Sequence, residues 1–222
     1  MAGFPLGTPV TNLVGTVFDP TSSSAGDNSV VSFVAGKSSE LLSSNLHGFY
    51  STMTYRGRMF AARTAHGGAV VPVYTATAQT FGIVNPVGSG VNMELITFRG
   101  DISATGTAVI AELYLNYVQN APLAVMLAGT CTPIAGGVQN LLLGGGAAPK
   151  TTAYSALTSV SQADTYAVGL GSFTTTSTVN GGLIRQFDGG LLVPPGTAIF
   201  VTSLVAQTSI MHLEFIYAEM PI

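Results

Sequence analysis

Apolar and polar residues alternate with a period of two along much of this chain, and that alternation predicts strands. In VNMELITFRGDI, residues 91–102, Val91, Met93, Leu95 and Thr97 alternate with Asn92, Glu94, Ile96 and Phe98. The segment AVIAELYLNYV, residues 108–118, sets Val109, Ala111, Leu113, Leu115 and Tyr117 on one side and Ile110, Glu112, Tyr114 and Asn116 on the other. Hydrophobic pattern alone does not exclude a helix there. The aromatic and β-branched content, with the turn-like GDISATG before it, makes it the expected hairpin partner of the preceding strand. In the last third, GGLIRQFDGG and LLVPPGTAIFVTSLV are punctuated by Asp188-Gly189-Gly190 and by Pro194-Pro195-Gly196. A Pro-Pro-Gly turn reverses the chain, so AIFVTSLV and SIMHLEFIYAEM read as successive antiparallel strands.

Helix signals are few. SELLSSNLHGFY, residues 39–50, holds a short helical turn at most: Ser39 caps, Leu41, Leu42 and Leu46 lie near helical spacing, and Gly48 ends it. Residues 120–165 mix apolar runs with Gly and small residues, and are expected to form long loops or irregular strands with a short helix. The opening 40 residues carry Gly, Pro, Ser and Thr throughout and too little periodic apolar surface to fold alone. The expected organisation is an extended N-terminal arm over residues 1–45 and a β-domain over 46–222. Short strands between glycine-rich turns predict an all-β antiparallel sandwich of the jelly-roll type. No fixed-period repeat argues for a propeller or a β-helix.

Composition adds an anomaly. Of the 222 residues only 8% are charged, against roughly a quarter in an ordinary soluble domain. Residues 64–93 contain no Asp, Glu, Lys or Arg, residues 113–163 contain only Lys150, and residues 189–213 contain none. Obligate interfaces deplete charge because an unpaired ion loses hydration on burial, so part of this neutral surface is expected to lie between subunits, in a homodimer or homotrimer. The alternative is a polar but uncharged skin of Ser, Thr and Asn. A net charge of −3 argues against nucleic acid as a partner. Apolar residues make up 47% of the chain, yet no apolar run reaches the ~20 residues of a membrane-spanning helix, so no membrane partner is expected. The start, MAGFPLGTPVTN, has no basic residue ahead of an apolar stretch, and synthesis and use without export are expected.

Catalytic signatures are sparse. A single cysteine, Cys131, excludes an internal disulfide framework and a Cys-based zinc site. The histidines, His47, His66 and His212, form no metal-binding motif. His212 and Glu214, two apart in a predicted strand, share a face and supply two ligands but no visible third; a polar pair at a sheet edge explains them as well. No GxSxG elbow occurs, and Gly88-Ser89-Gly90, after Asn85-Pro86, reads as a conformational turn rather than a phosphate loop. The carboxylates Glu94, Asp101, Glu112, Asp164, Asp188, Glu214 and Glu219 are scattered singly, giving no specific support to a glycosidase pair. Eight Tyr and no Trp leave a carbohydrate-stacking platform unsignalled. The chain therefore reads as no enzyme, with no catalytic residue, no metal and no cofactor.

One basic cluster stands out: Arg56, Arg58 and Arg63 fall within MTYRGRMFAART. On an extended strand Arg56 and Arg58 face one way, with the aromatic bodies of Tyr55 and Phe60 on the other side. Arginine forks bind carboxylates in pairs and tolerate partial burial, so these residues are candidates for docking on an acidic partner surface; an exposed strand end is the plain alternative.

Two blocks carry a likeness to known proteins. HGFYSTMTYRGRMFAART, followed by FGIVNPVGSGVNMELI, and the ending FDGGLLVPPGTAIFVTSLV with Glu219-Met220-Pro221, resemble tailed-bacteriophage virion proteins. The likeness spans roughly residues 46–118 and 181–222 and lies in the Asn-Pro-x-Gly-Ser-Gly turn, Asn85, Pro86, Gly88 and Gly90, and in the Pro194-Pro195-Gly196 hairpin. It implies a capsid decoration (cement) protein on the virion surface, made in the host cytoplasm, that binds the major capsid protein and stabilises the phage head, with the arm as clamp. A receptor- or glycan-binding fibre or tail protein, reading sugars through residues 120–165, is the alternative.

Overall fold

The computed structural model describes residues 14–17, 29–32, 50–104, 110–158, 166–174 and 182–222. The helical turn expected at 39–50 therefore lies outside the described residues except for Tyr50. The chain divides into two compact units, Met1–Arg56 and Gly57–Ile222. In the first unit β1 (Val14–Val17) pairs antiparallel with β2 (Ser29–Ser32), and α1 spans Ser51–Tyr55.

The second unit is an antiparallel β-sandwich. Its strands are β3 (Met59–Arg63), β4 (Ala69–Val70), β5 (Gly82–Asn85), β6 (Val91–Ala104), β7 (Ile110–Gln119), β8 (Cys131–Pro133), β9 (Val138–Asn140), β10 (Thr152–Leu157), β11 (Tyr166–Thr174), β12 (Gly182–Val193), β13 (Thr197–Ser203) and β14 (Ile210–Pro221). One sheet has the order β12-β6-β14-β3-β9 and the other β11-β7-β13-β5-β10-β8. The pairs β3–β14, β5–β13, β6–β12 and β7–β11 nest one inside the next along the chain. That nesting, a long hairpin rolled into two sheets, is the jelly roll.

Between β7 and β11, at the tip of the rolled hairpin, stands an insertion. It holds α2 (Asn120–Ala128), β8, β9 and β10, a short helix and short strands of the kind expected there. β9 pairs with β3, and β10 pairs with β5 and with β8. The insertion thus adds β9 to an edge of one sheet and β10 with β8 to an edge of the other, which keeps β3 and β5 from presenting unpaired backbone.

Alternation places Phe60, Met93, Leu95, Leu113, Phe215 and Tyr217 between the sheets, where they form the main core; Phe98, expected on the face opposite Met93 and Leu95, joins them because the β6–β14 register shifts between Leu95 and Thr97. A second core lies on the outer side of the β7–β13–β5 sheet: Leu123 and Met126 of α2 pack against Val84, Val118 and Phe200. All seven residues of β13 are buried because its two faces serve different cores.

Three pairing expectations are corrected. β6 and β7 are not hairpin partners; they lie in opposite sheets, with Leu95 and Leu115 both turned into the main core. β13 and β14 likewise lie in opposite sheets. Strand alternation reports a face, and a turn reports a reversal, but neither says whether the reversal stays in one sheet or crosses to the other. Asp188-Gly189-Gly190 is no break between strands: it is a bulge within β12, where the register with β6 jumps between Gln186 and Leu191 and Asp188 takes φ +49.

Candidate functional site

The sequence-predicted arginine strand does not form. Tyr55 ends α1, Arg56 sits in the turn after it, and Arg58 precedes β3, because the chain has to leave a helix before it can pair with β14. Phe60 is not a docking residue: it is 1% exposed and stacks on Tyr217 with ring centroids 5.9 Å apart. Arg63, at the last position of β3, is exposed and belongs to a different constellation.

On the outer face of β3, β14 and β6, registers bring the scattered charges together. Glu214 stands opposite Arg63 on one side and Arg99 on the other, and His212 stands opposite Asp101. Arg99 with Asp101, and His212 with Glu214, are two apart on their strands, so all point away from the main core. With His66 they line a cleft of about 320 Å³, walled by the turn at 134–137. That turn is pinned where Arg63 N donates to Gly137 O at 2.8 Å, and the base is fixed by Thr64 N to Leu213 O at 3.0 Å and Leu213 N to Thr64 Oγ1 at 3.2 Å.

Arg99 Nε donates to Asp101 Oδ2 at 2.9 Å, an exposed pair whose contribution to stability is small. Among the described residues, Arg63, His66, His212 and Glu214 have no side-chain hydrogen bond or ion pair with which to spend their charge or polarity. The cleft therefore offers one uncommitted guanidinium, one uncommitted carboxylate and two imidazoles. Among the described residues no three His, Cys, Asp or Glu side chains group closely enough to hold a metal ion. The His212–Glu214 face was legible from spacing; Arg63, Arg99 and Asp101 join it only through register, and His66 through the turn that follows β3.

The lone thiol is poorly suited to attack. Cys131 Sγ donates to Met126 O at 3.3 Å, and burial pushes its pKa up despite a hydrogen bond with the Thr158 backbone that lowers it.

Asn85, Pro86, Gly88 and Gly90 join β5 to β6, and Pro194, Pro195 and Gly196 join β12 to β13; both are corners between sheets rather than in-sheet hairpins. Gly88 and Gly196 have φ of +75 and +77 at the third position of their turns, a conformation that glycine adopts without strain. The corners are adjacent, since Gly196 N donates to Asn85 O at 2.8 Å.

The fold and its charged face define an all-β jelly-roll protein with a shallow polar cleft on one sheet. Comparison with family models, curated proteins and solved structures finds no match for this chain.

Proposed function

We propose that this chain is a non-enzymatic structural protein of a virion, a capsid decoration protein that self-associates, binds across major capsid subunits and stabilises a phage head. The observation that carries this reading is the character of the uncharged stretches. Val87, Val125, Leu143 and Leu192 are each at least 60% exposed, and all four lie in the segments 64–93, 113–163 and 189–213. These stretches are thus apolar surface as well as core, and apolar surface without charge is what subunit contact covers. The two blocks that resemble phage virion proteins contain seven of the eight roll strands, all but β11, while the unlike middle holds the insertion and β11.

Repetition around a symmetric shell makes many weak contacts effective, because each contact after the first forms within one assembly. Incubating the purified chain with whole phage particles and counting and locating the bound copies tests the proposal. Saturation in step with the capsid lattice supports it. A few copies at the tail would support the fibre reading instead, and a lone monomer with no affinity for any part of the particle would remove both.

A further inference from the structure

Beside the Pro194-Pro195-Gly196 corner the two sheets leave a slot of about 190 Å³ between them. Leu95 and Leu191 line it from one sheet, and Leu115, Tyr117 and Ile199 from the other. Exposure falls from mouth to base: Leu192 and Tyr117 are open to water, whereas Leu95 and Ile199 belong to the core.

Thr197 also lines the slot, is 3% exposed, and its Oγ1 has no hydrogen-bond partner. Its cross-strand neighbour Asn85, fully buried, leaves Oδ1 unpartnered as well. Both occupy inward positions, Thr197 two before Ile199 and Asn85 two after Ile83. Buried polar atoms without partners on two paired residues are uncommon in a folded protein, and one of them, Thr197 Oγ1, belongs to a residue that lines an apolar slot. No charged residue lines the slot, which argues against an ionic ligand, and its size excludes a long acyl chain. An apolar cavity of about 150 Å³ takes a benzene ring. This one has room for a ring bearing a short hydroxyl arm.

We propose that the slot is a binding site for a small alcohol with an apolar ring, its ring buried between the sheets and its hydroxyl paired with Thr197 Oγ1. The site is independent of the assembly reading.

The test titrates the full chain with benzyl alcohol and with toluene, which has the same ring and no hydroxyl. Both should bind saturably. Thr197→Val, which keeps the side-chain shape, should weaken benzyl alcohol by about tenfold and leave toluene unchanged or tighter. Leu192→Trp, at the exposed rim, should weaken both. In the wild-type chain, nuclear Overhauser contacts should join the benzyl alcohol ring to the methyl groups of Leu95 and Leu115, a measurement that needs no variant to fold. Failure of benzyl alcohol to bind, an equal effect of Thr197→Val on both probes, or ring contacts elsewhere would overturn the proposal.

Discussion

Asn85 Nδ2 donates to the Val193 carbonyl at 3.0 Å, joining residues 108 apart in the chain. The same nitrogen donates to Val91 O at 2.9 Å. One fully buried amide therefore holds both inter-sheet corners, the exit of β5 into β6 and the exit of β12 toward β13. Asn85→Ala should lower stability by about 2 kcal/mol, from two lost hydrogen bonds, although the Val91 carbonyl keeps the Ser89 hydroxyl at 3.3 Å. Urea unfolding measures this, and a change within about 0.5 kcal/mol, the range of an ordinary surface substitution, would show that the corners hold without it.

Gly82 and Gly88 make a contrasting pair. A Cβ at Gly82 would overlap Leu157 Cδ1 and lie 2.9 Å from the Ile199 carbonyl oxygen, so this glycine permits β5, β13 and β10 to pack closely. A Cβ at Gly88 meets nothing within 4 Å, and only its φ of +75 resists substitution. Gly82→Ala should cost about 2 kcal/mol or more through overpacking, and Gly88→Ala about 1 kcal/mol through backbone strain. Unfolding midpoints in the reverse order would refute this assignment.

Tyr217 carries a pH dependence. Its hydroxyl is buried and hydrogen-bonded with Thr151 Oγ1, which also donates to Glu219 Oε1 at 3.0 Å. Burial pushes the phenol pKa well up, the Thr151 bond lowers it, and the Glu219 charge raises it. A raised folded pKa favours the protonated phenol in the native state. Its contribution is therefore complete below the unfolded tyrosine value of about 10 and is lost as pH rises beyond it toward the folded value. The stability gap between the wild-type chain and Tyr217→Phe should stay constant to about pH 9 and move against the wild type above about pH 10. A gap that moves in its favour there would contradict the sign.

Arg63 tests the charged cleft. Because its side chain is exposed and uncommitted, Arg63→Gln should leave unfolding within about 0.5 kcal/mol of wild type. On the docking reading it should weaken attachment to capsid shells by about tenfold, the worth of one charged hydrogen bond. The double change Arg56→Glu with Arg58→Glu should also reduce attachment. Full attachment by both variants would remove arginine from the contact.

The positions of β6, β12, β13 and β14, the two proline-glycine corners and the all-β class were legible in the amino-acid order. Alternation and turn chemistry act over two to four residues and leave their marks locally. The same marks misplaced β7 as the hairpin partner of β6, read the β12 bulge as a break, and assigned Phe60 to a surface that it does not reach. They also placed His212 and Glu214 on one face while saying nothing of Arg99 or Asp101.

What the chain determined alone is where it extends and where it reverses, because backbone preference and side-chain period are local properties. Tertiary structure decided which strand lies beside which. Burying both sheets' inner faces selects a single nesting of distant pairs, and that selection alone sets Arg63, Glu214 and Arg99 in one row and Asn85 against Val193.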